Sequence, residues 1–200
     1  MLDHVLRRMG FGASAADLDQ FARAPIVGVI GYLLNYDRAP DDVDTKVNDP
    51  AYIGVTTRGQ FQPNTVVNDA RQRWLFRMVH TQRPLQEKLA LFWHNHFATA
   101  YSKVAGTFGG EHGTKMMDGK ASEVAGGRRG QIQLLRDMGS GRFDQLLIEV
   151  AKDPAMLVWL DGRLNVRARP QENFGRELME LFTTGVGHYT EADVYAAARV

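Results

Sequence analysis

The chain has 200 residues, 44% of them hydrophobic and 24% charged, a composition sufficient for one core of ordinary size. Lysine and arginine (24) nearly balance aspartate and glutamate (23), so a net charge of +1 draws it toward neither nucleic acid nor an anionic membrane, and no nucleic-acid partner is expected. The absence of cysteine excludes disulfides, thiolate metal sites and thiol nucleophiles.

Apolar positions recur mainly at helical spacing. Leu2, Val5, Leu6 and Met9 predict a short first helix, ended by Gly10 and Gly12. Ser14 is placed to cap a second helix carrying Leu18 and Phe21, and Pro25 to open a third reaching Tyr36. The apolar run at 25–34, PIVGVIGYLL, is too short to span a bilayer, so no transmembrane segment is expected. MLDHVLRRMGFG has neither the apolar core nor the cleavage pattern of a signal peptide.

Residues 37–63 hold four acids in DDVDTKVNDP, scattered Gly and Pro and no period, which predicts a long surface loop. Helices resume over 64–80 and from Pro84 to about Ser102. The eight glycines of residues 103–130 predict a second long, mobile loop, because each glycine loses extra backbone entropy on ordering. QIQLLRDM, FDQLLIEVAKDPAMLVWL interrupted at Pro154, ENFGRELMELF closed by Gly185, and a last pattern capped by Thr190 complete the helices. No stretch alternates at period two. The ending AAARV has no cap and leaves Val194, Ala197 and Ala198 without a downstream cover, so the chain is expected to be cut short within a larger domain.

FWHNHF at 92–97 carries two histidines, His94 and His96. At about 100° per residue, His96 joins Leu85, Leu89 and Phe92 on the apolar stripe, while His94 falls nearly opposite beside Glu87. Two rings so separated on one helix cannot share a metal, which needs i,i+3 or i,i+4 spacing. His96 is then either a buried neutral imidazole bonded to a carbonyl or carboxylate, or a ligand or proton-transfer group with partners elsewhere. On ENFGRELMELF, Phe174, Leu178, Leu181 and Phe182 define the buried stripe, and Asn173, Glu177 and Glu180 form a polar face whose Glu177 borders the core. Arg176 is expected to pair with Glu172 and Glu180 on the surface. With His188 after the turn, His96, Glu177 and Glu180 make a possible divalent-metal or acid/base set, although neither ExxH nor HExxH is present. Arg128, Arg129 and Arg136, like Arg163, Arg167 and Arg169, read as solvated basic faces. No GxSxG, GxxxxGK or GxGxxG occurs, against the commonest hydrolase, P-loop and dinucleotide sites.

FWHNHFAT, DPAMLVWLDGRLN, RPQENFGRELMELFTTGVGHYTEADVYAAARV and the opening LRRMGFGASAADLD together resemble the bacterial family "domain of unknown function 1800" along the whole chain. The resemblance implies a mostly helical domain longer than this chain, often exported after a signal peptide and often encoded beside a sulfatase-like partner protein. It also implies that AAARV continues into a Thr-Gly-Trp motif, and residues 103–130 depart from the family in being longer and looser. The name carries no activity.

The sequence therefore predicts an all-α, irregular multi-helix bundle with two long loops, one domain over 1–200 that is the N-terminal portion of a larger one. The expected role is a binding or assembly module of an exported or envelope-associated bacterial system. The alternative is a metal-dependent or acid/base enzyme centred on His96, Glu177 and His188, supported by His94, Asn173 and Glu180, with a divalent metal as its cofactor.

Overall fold

A computed structural model describes residues 1–52, 54–56 and 59–199; positions 53, 57 and 58 of the expected first loop, and Val200 of AAARV, lie outside them. Among the described residues there are twelve α-helices, three 3-10 turns and no strand. Helices α1 (Leu2–Met9), α2 (Ala15–Phe21) and α3 (Ile26–Leu34) wrap a small core of Leu6, Val29 and Leu33. Ser14 forms the expected cap: its hydroxyl accepts from Asp17 N at 3.1 Å, and the Asp17 carboxylate accepts from Ser14 N at 2.8 Å. Among the described residues from Tyr36 to Val66 there are two 3-10 turns and no α-helix, in keeping with the first loop.

The main core joins α5 (Pro84–Phe97), α8 (Gln131–Met138), α9 (Phe143–Ala151) and α10 (Pro154–Trp159) through Ala90, Phe97, Leu135, Leu146, Val150 and Met156. Helix α4 (Val67–His80) lies against α5. Pro154 opens α10 as its first residue, where a missing N–H costs nothing, and Asp153 caps it.

The second expected loop is a correction. Residues 101–118 form two helices, α6 (Tyr101–Phe108) and α7 (Gly110–Asp118), and α5 stops at Phe97. Glycine composition was misleading because here the glycines serve contact. A Cβ on Gly113 would stand 2.9 Å from both Cα and Cβ of Ala105, so only glycine lets α6 and α7 pack this closely. Val104 and Met117 close a second core with Ala155 and Val158 of α10. What remains of the loop, 119–130, is pinched shut where Gly130 N donates to Gly119 O at 2.7 Å.

Helices α11 (Glu172–Glu180) and α12 (Glu191–Ala198) pack on each other, with Gly175 against Ala197. Thr190 forms the expected capping box with Asp193. Val194 and Ala198 are buried, so the face that AAARV seemed to leave bare is covered by α11. Leu181 is the converse correction: α11 ends one residue earlier, and this side chain is 60% exposed while Phe182 turns into the core.

Two outcomes follow from these contacts. Gly113→Val should cost at least about 2 kcal/mol, by overpacking the α6–α7 contact, and lower the urea midpoint with little change in slope. Asp153 is 3% exposed and accepts from Met156 N and Gln131 Nε2, both at 3.0 Å. Burial pushes its carboxyl from the usual 3.8 to about 6, against the pull of those bonds. The folded state thus holds this proton more tightly than the unfolded chain. The stabilising effect is full below about pH 4 and is lost as pH rises through about 6, a difference of about 3 kcal/mol. Asp153→Asn keeps the acceptor oxygen, so it should raise stability at pH 7 and flatten the melting temperature between about pH 4 and 6.

Candidate functional site

The expected constellation is dispersed. His96 is half-buried among Trp93, Phe97, Phe143 and Phe182, and its Nε2 lies 3.2 Å from the main-chain oxygen of Phe182. Glu180 accepts from the Tyr189 hydroxyl at 2.7 Å, and Asn173 Nδ2 donates to Leu160 O at 3.0 Å. Arg176 pairs with Glu172 as expected, but its second carboxylate is Glu191, not Glu180. Glu177 is half-buried, and His188 is exposed on the turn before α12. Among the described residues, no three His, Cys, Asp or Glu side chains are placed to share a metal ion.

The inner face of α5 is rotated by about a third of a turn from the one its apolar spacing suggests. Gln86, Glu87, Ala90 and Phe97 are buried, whereas Phe92 is 58% exposed. Glu87 is fully buried because three donors meet its carboxylate: Arg77 Nε at 2.8 Å, Arg136 Nε at 2.7 Å and Trp74 Nε1 at 3.0 Å. Arg136, read from sequence as part of a solvated basic face, is therefore a core residue. Arg77 reaches on to Asp41 at 2.6 Å and Asp44 at 2.8 Å, and Lys120 also binds Asp44. Burial opposes the charge on Arg77, but Glu87, Asp44 and Asp41 together hold its pKa above the ordinary value.

One turn N-terminal on α4, Arg73 donates to Asp118 at 2.9 Å and to Glu123 at 3.0 Å. Burial pushes the Asp118 carboxyl upward more strongly than Arg73 and Arg136 pull it down.

Beside this ionic layer opens a cleft of about 340 Å³ between α4, the end of α5, α6 and α7. Its apolar wall includes Ala70, Trp74, Met117 and Ile132. His94, Thr99, Tyr101 and Asp118 supply polar groups, and Arg71 lies at the edge. Ala98 shapes the site: in the left-handed conformation (φ 49°) it ends α5, donating its N–H to His94 O at 2.9 Å, and turns Thr99 inward. The imidazole of His94 meets the Trp74 ring edge-on at 5.5 Å, and burial lowers its pKa, which favours the neutral form.

Two buried polar atoms in this cleft, His94 Nδ1 and Thr99 Oγ1, have no hydrogen-bond partner among the described residues. Two larger surface clefts, of about 550 and 410 Å³, contain no such atom. The apolar spacing of Leu85, Leu89 and Phe92 puts His94 on the far side of α5 beside Glu87, whereas the structure turns both inward. The missed signal was Arg73 and Arg77 one turn apart on α4, positively charged partners for an acid turned inward.

The chain was compared with known proteins. A family model described as "Protein of unknown function (DUF1800)" matches residues 4–200. No curated protein and no solved structure matches the chain.

The ionic layer makes a non-additive prediction. Glu87→Leu leaves buried Arg136 without its ion-pair partner and removes one of the three carboxylates of Arg77, and should cost about 3–5 kcal/mol in urea unfolding. Adding Arg136→Met should recover part of that loss; a double variant at or beyond the sum of the singles would contradict the pairing.

Proposed function

This chain belongs to the DUF1800 family, whose description carries no activity, and from its geometry we propose that it is a binding module whose cleft at His94 receives a small, largely apolar molecule with a hydrogen-bonding group. The observation that carries this reading is the pair of unpartnered buried atoms, His94 Nδ1 and Thr99 Oγ1, lining one cleft. A buried polar atom without a partner costs about 1–3 kcal/mol, and a ligand that satisfies it regains that free energy on binding. Neutral imidazole and hydroxyl can each donate or accept, so the pair suits an amide, hydroxyl or carboxylate. At about 340 Å³ the cleft lies at the small end of ligand sites, and its wall is mostly apolar with a few polar groups, as such sites are.

The enzyme centred on His96, Glu177 and His188 is the weaker reading. The His96 ring is engaged by the Phe182 carbonyl, and among the described residues no His, Cys, Asp or Glu cluster placed to share a metal includes it. A role in an exported or envelope-associated system rests on the resemblance of the motifs alone.

The test uses 2-naphthamide, a flat two-ring amide, titrated into the folded chain and followed by NMR. Saturable shifts of the His94 ring and the Trp74 indole N–H are expected. His94→Leu and Thr99→Val should each weaken binding roughly tenfold, the effect of one lost hydrogen bond. Shifts that never saturate, or that leave both residues untouched, would remove the cleft as a binding site.

A further inference from the structure

We infer that the ligand of this cleft is an anion, an apolar carboxylate whose head group is held by Arg71; the inference rests on the cleft being a binding site. Three arginines of α4 define the charge around it. Arg73 and Arg77 are 3% and 1% exposed, and each is saturated by carboxylates. Arg71 belongs to the same helix, but its side chain makes no ion pair or hydrogen bond with any described residue, and it lines the cleft. Its guanidinium carbon stands 5.9 Å from the centre of the Tyr101 ring, a cation–π contact that settles the fork at the rim. That ring is itself fixed, because the Tyr101 hydroxyl donates to Gly110 O at 3.2 Å.

The remaining charges leave Arg71 uncompensated. Asp118 is the one acid in the lining, and its carboxylate is already engaged by Arg73 Nε and Nη2 at 3.3 and 2.9 Å. His94 favours its neutral form, and Thr99 carries no charge. An occupant therefore meets an apolar wall of Ala70, Trp74, Met117 and Ile132, two neutral hydrogen-bonding atoms, and one free guanidinium. A guanidinium fork matches a planar carboxylate with two parallel bonds. A phosphate dianion would call for a second cation, and the lining holds none. The chemistry fits a compact molecule of one or two rings, or an equivalent branched chain, bearing a single carboxylate.

The experiment compares 2-naphthoate with its neutral counterpart 2-naphthamide by calorimetry, on the folded wild-type chain, Arg71→Met, Arg71→Lys and the distant Arg163→Met. The wild type should bind the carboxylate roughly tenfold more tightly than the amide, the effect of one charge-assisted contact. Arg71→Met should bring the two close to parity, with the amide still bound as evidence that the cleft is intact. Arg71→Lys should keep part of the preference, since it retains the charge and loses the fork. Arg163→Met removes the same charge from an exposed site elsewhere and should keep the full preference. Equal affinities in the wild type, or a preference that survives Arg71→Met, would overturn the assignment of Arg71 while leaving the cleft standing. If neither compound binds the wild type, the binding-site reading itself falls.

Discussion

The fold turns on a carboxylate that has no access to water. Glu87 is fully buried, and it is tolerable there only because Arg77, Arg136 and Trp74 all donate to it. Those donors come from α4 and α8, so a single carboxylate on α5 ties three helices together. Charge pairing of this sort adds little net stability when compared with a well-packed apolar core. What it does impose is register. Sliding α4 by one turn would offer Arg73 or Thr81 to Glu87 in place of Arg77, and would break the links from Arg77 to Asp41 and Asp44.

The same pairing places the cleft. Seven residues separate Glu87 from His94, close to two full turns, so a helix that must turn Glu87 inward also turns His94 inward. On α4, Trp74 is bound to Glu87 through its indole nitrogen and exposes its ring edge to His94. Arg73, one turn from Arg77, fixes Asp118 at the end of α7 and reaches Glu123 in the pinched loop. The polar atoms of the cleft are therefore held by elements locked through buried charges, which is the rigid support that a selective site needs. Arg71 stays outside this layer because its position on α4 points it along the rim, where no acid among the described residues meets it.

Much of the architecture was legible because helix signals are local. The caps at Ser14 and Thr190, the break at Pro154 and the extent of QIQLLRDM as α8 depend on a few neighbouring residues, and the structure agrees with each. The failures share a cause: they required knowing a partner. Glycines were read as entropy, yet Gly113 is defined by Ala105 on the neighbouring helix. Arg136 reads as part of a solvated basic face, yet it meets Glu87 in the core. The buried face of α5 is rotated by about a third of a turn from its apolar stripe, which brings Glu87 and His94 inward while Phe97 stays in the core. The cleft could not be read at all, because its lining comes from α4, α5, α6, α7 and α8, and no local period announces their meeting.

The spacing of the two histidines in FWHNHF then has a physical sense that neither a shared metal nor simple packing supplies. Two residues apart on a helix is about 200°, so the two rings must serve opposite sides of α5. His96 is bound on one side to the Phe182 carbonyl at the end of α11, among the rings of Trp93, Phe97 and Phe143. His94 stands on the other, beside Trp74, with Nδ1 left unpaired. The last turn of α5 carries His96, His94 and the left-handed Ala98 that precedes Thr99. One turn of helix thus presents His96 to Phe182 and His94 to the cleft.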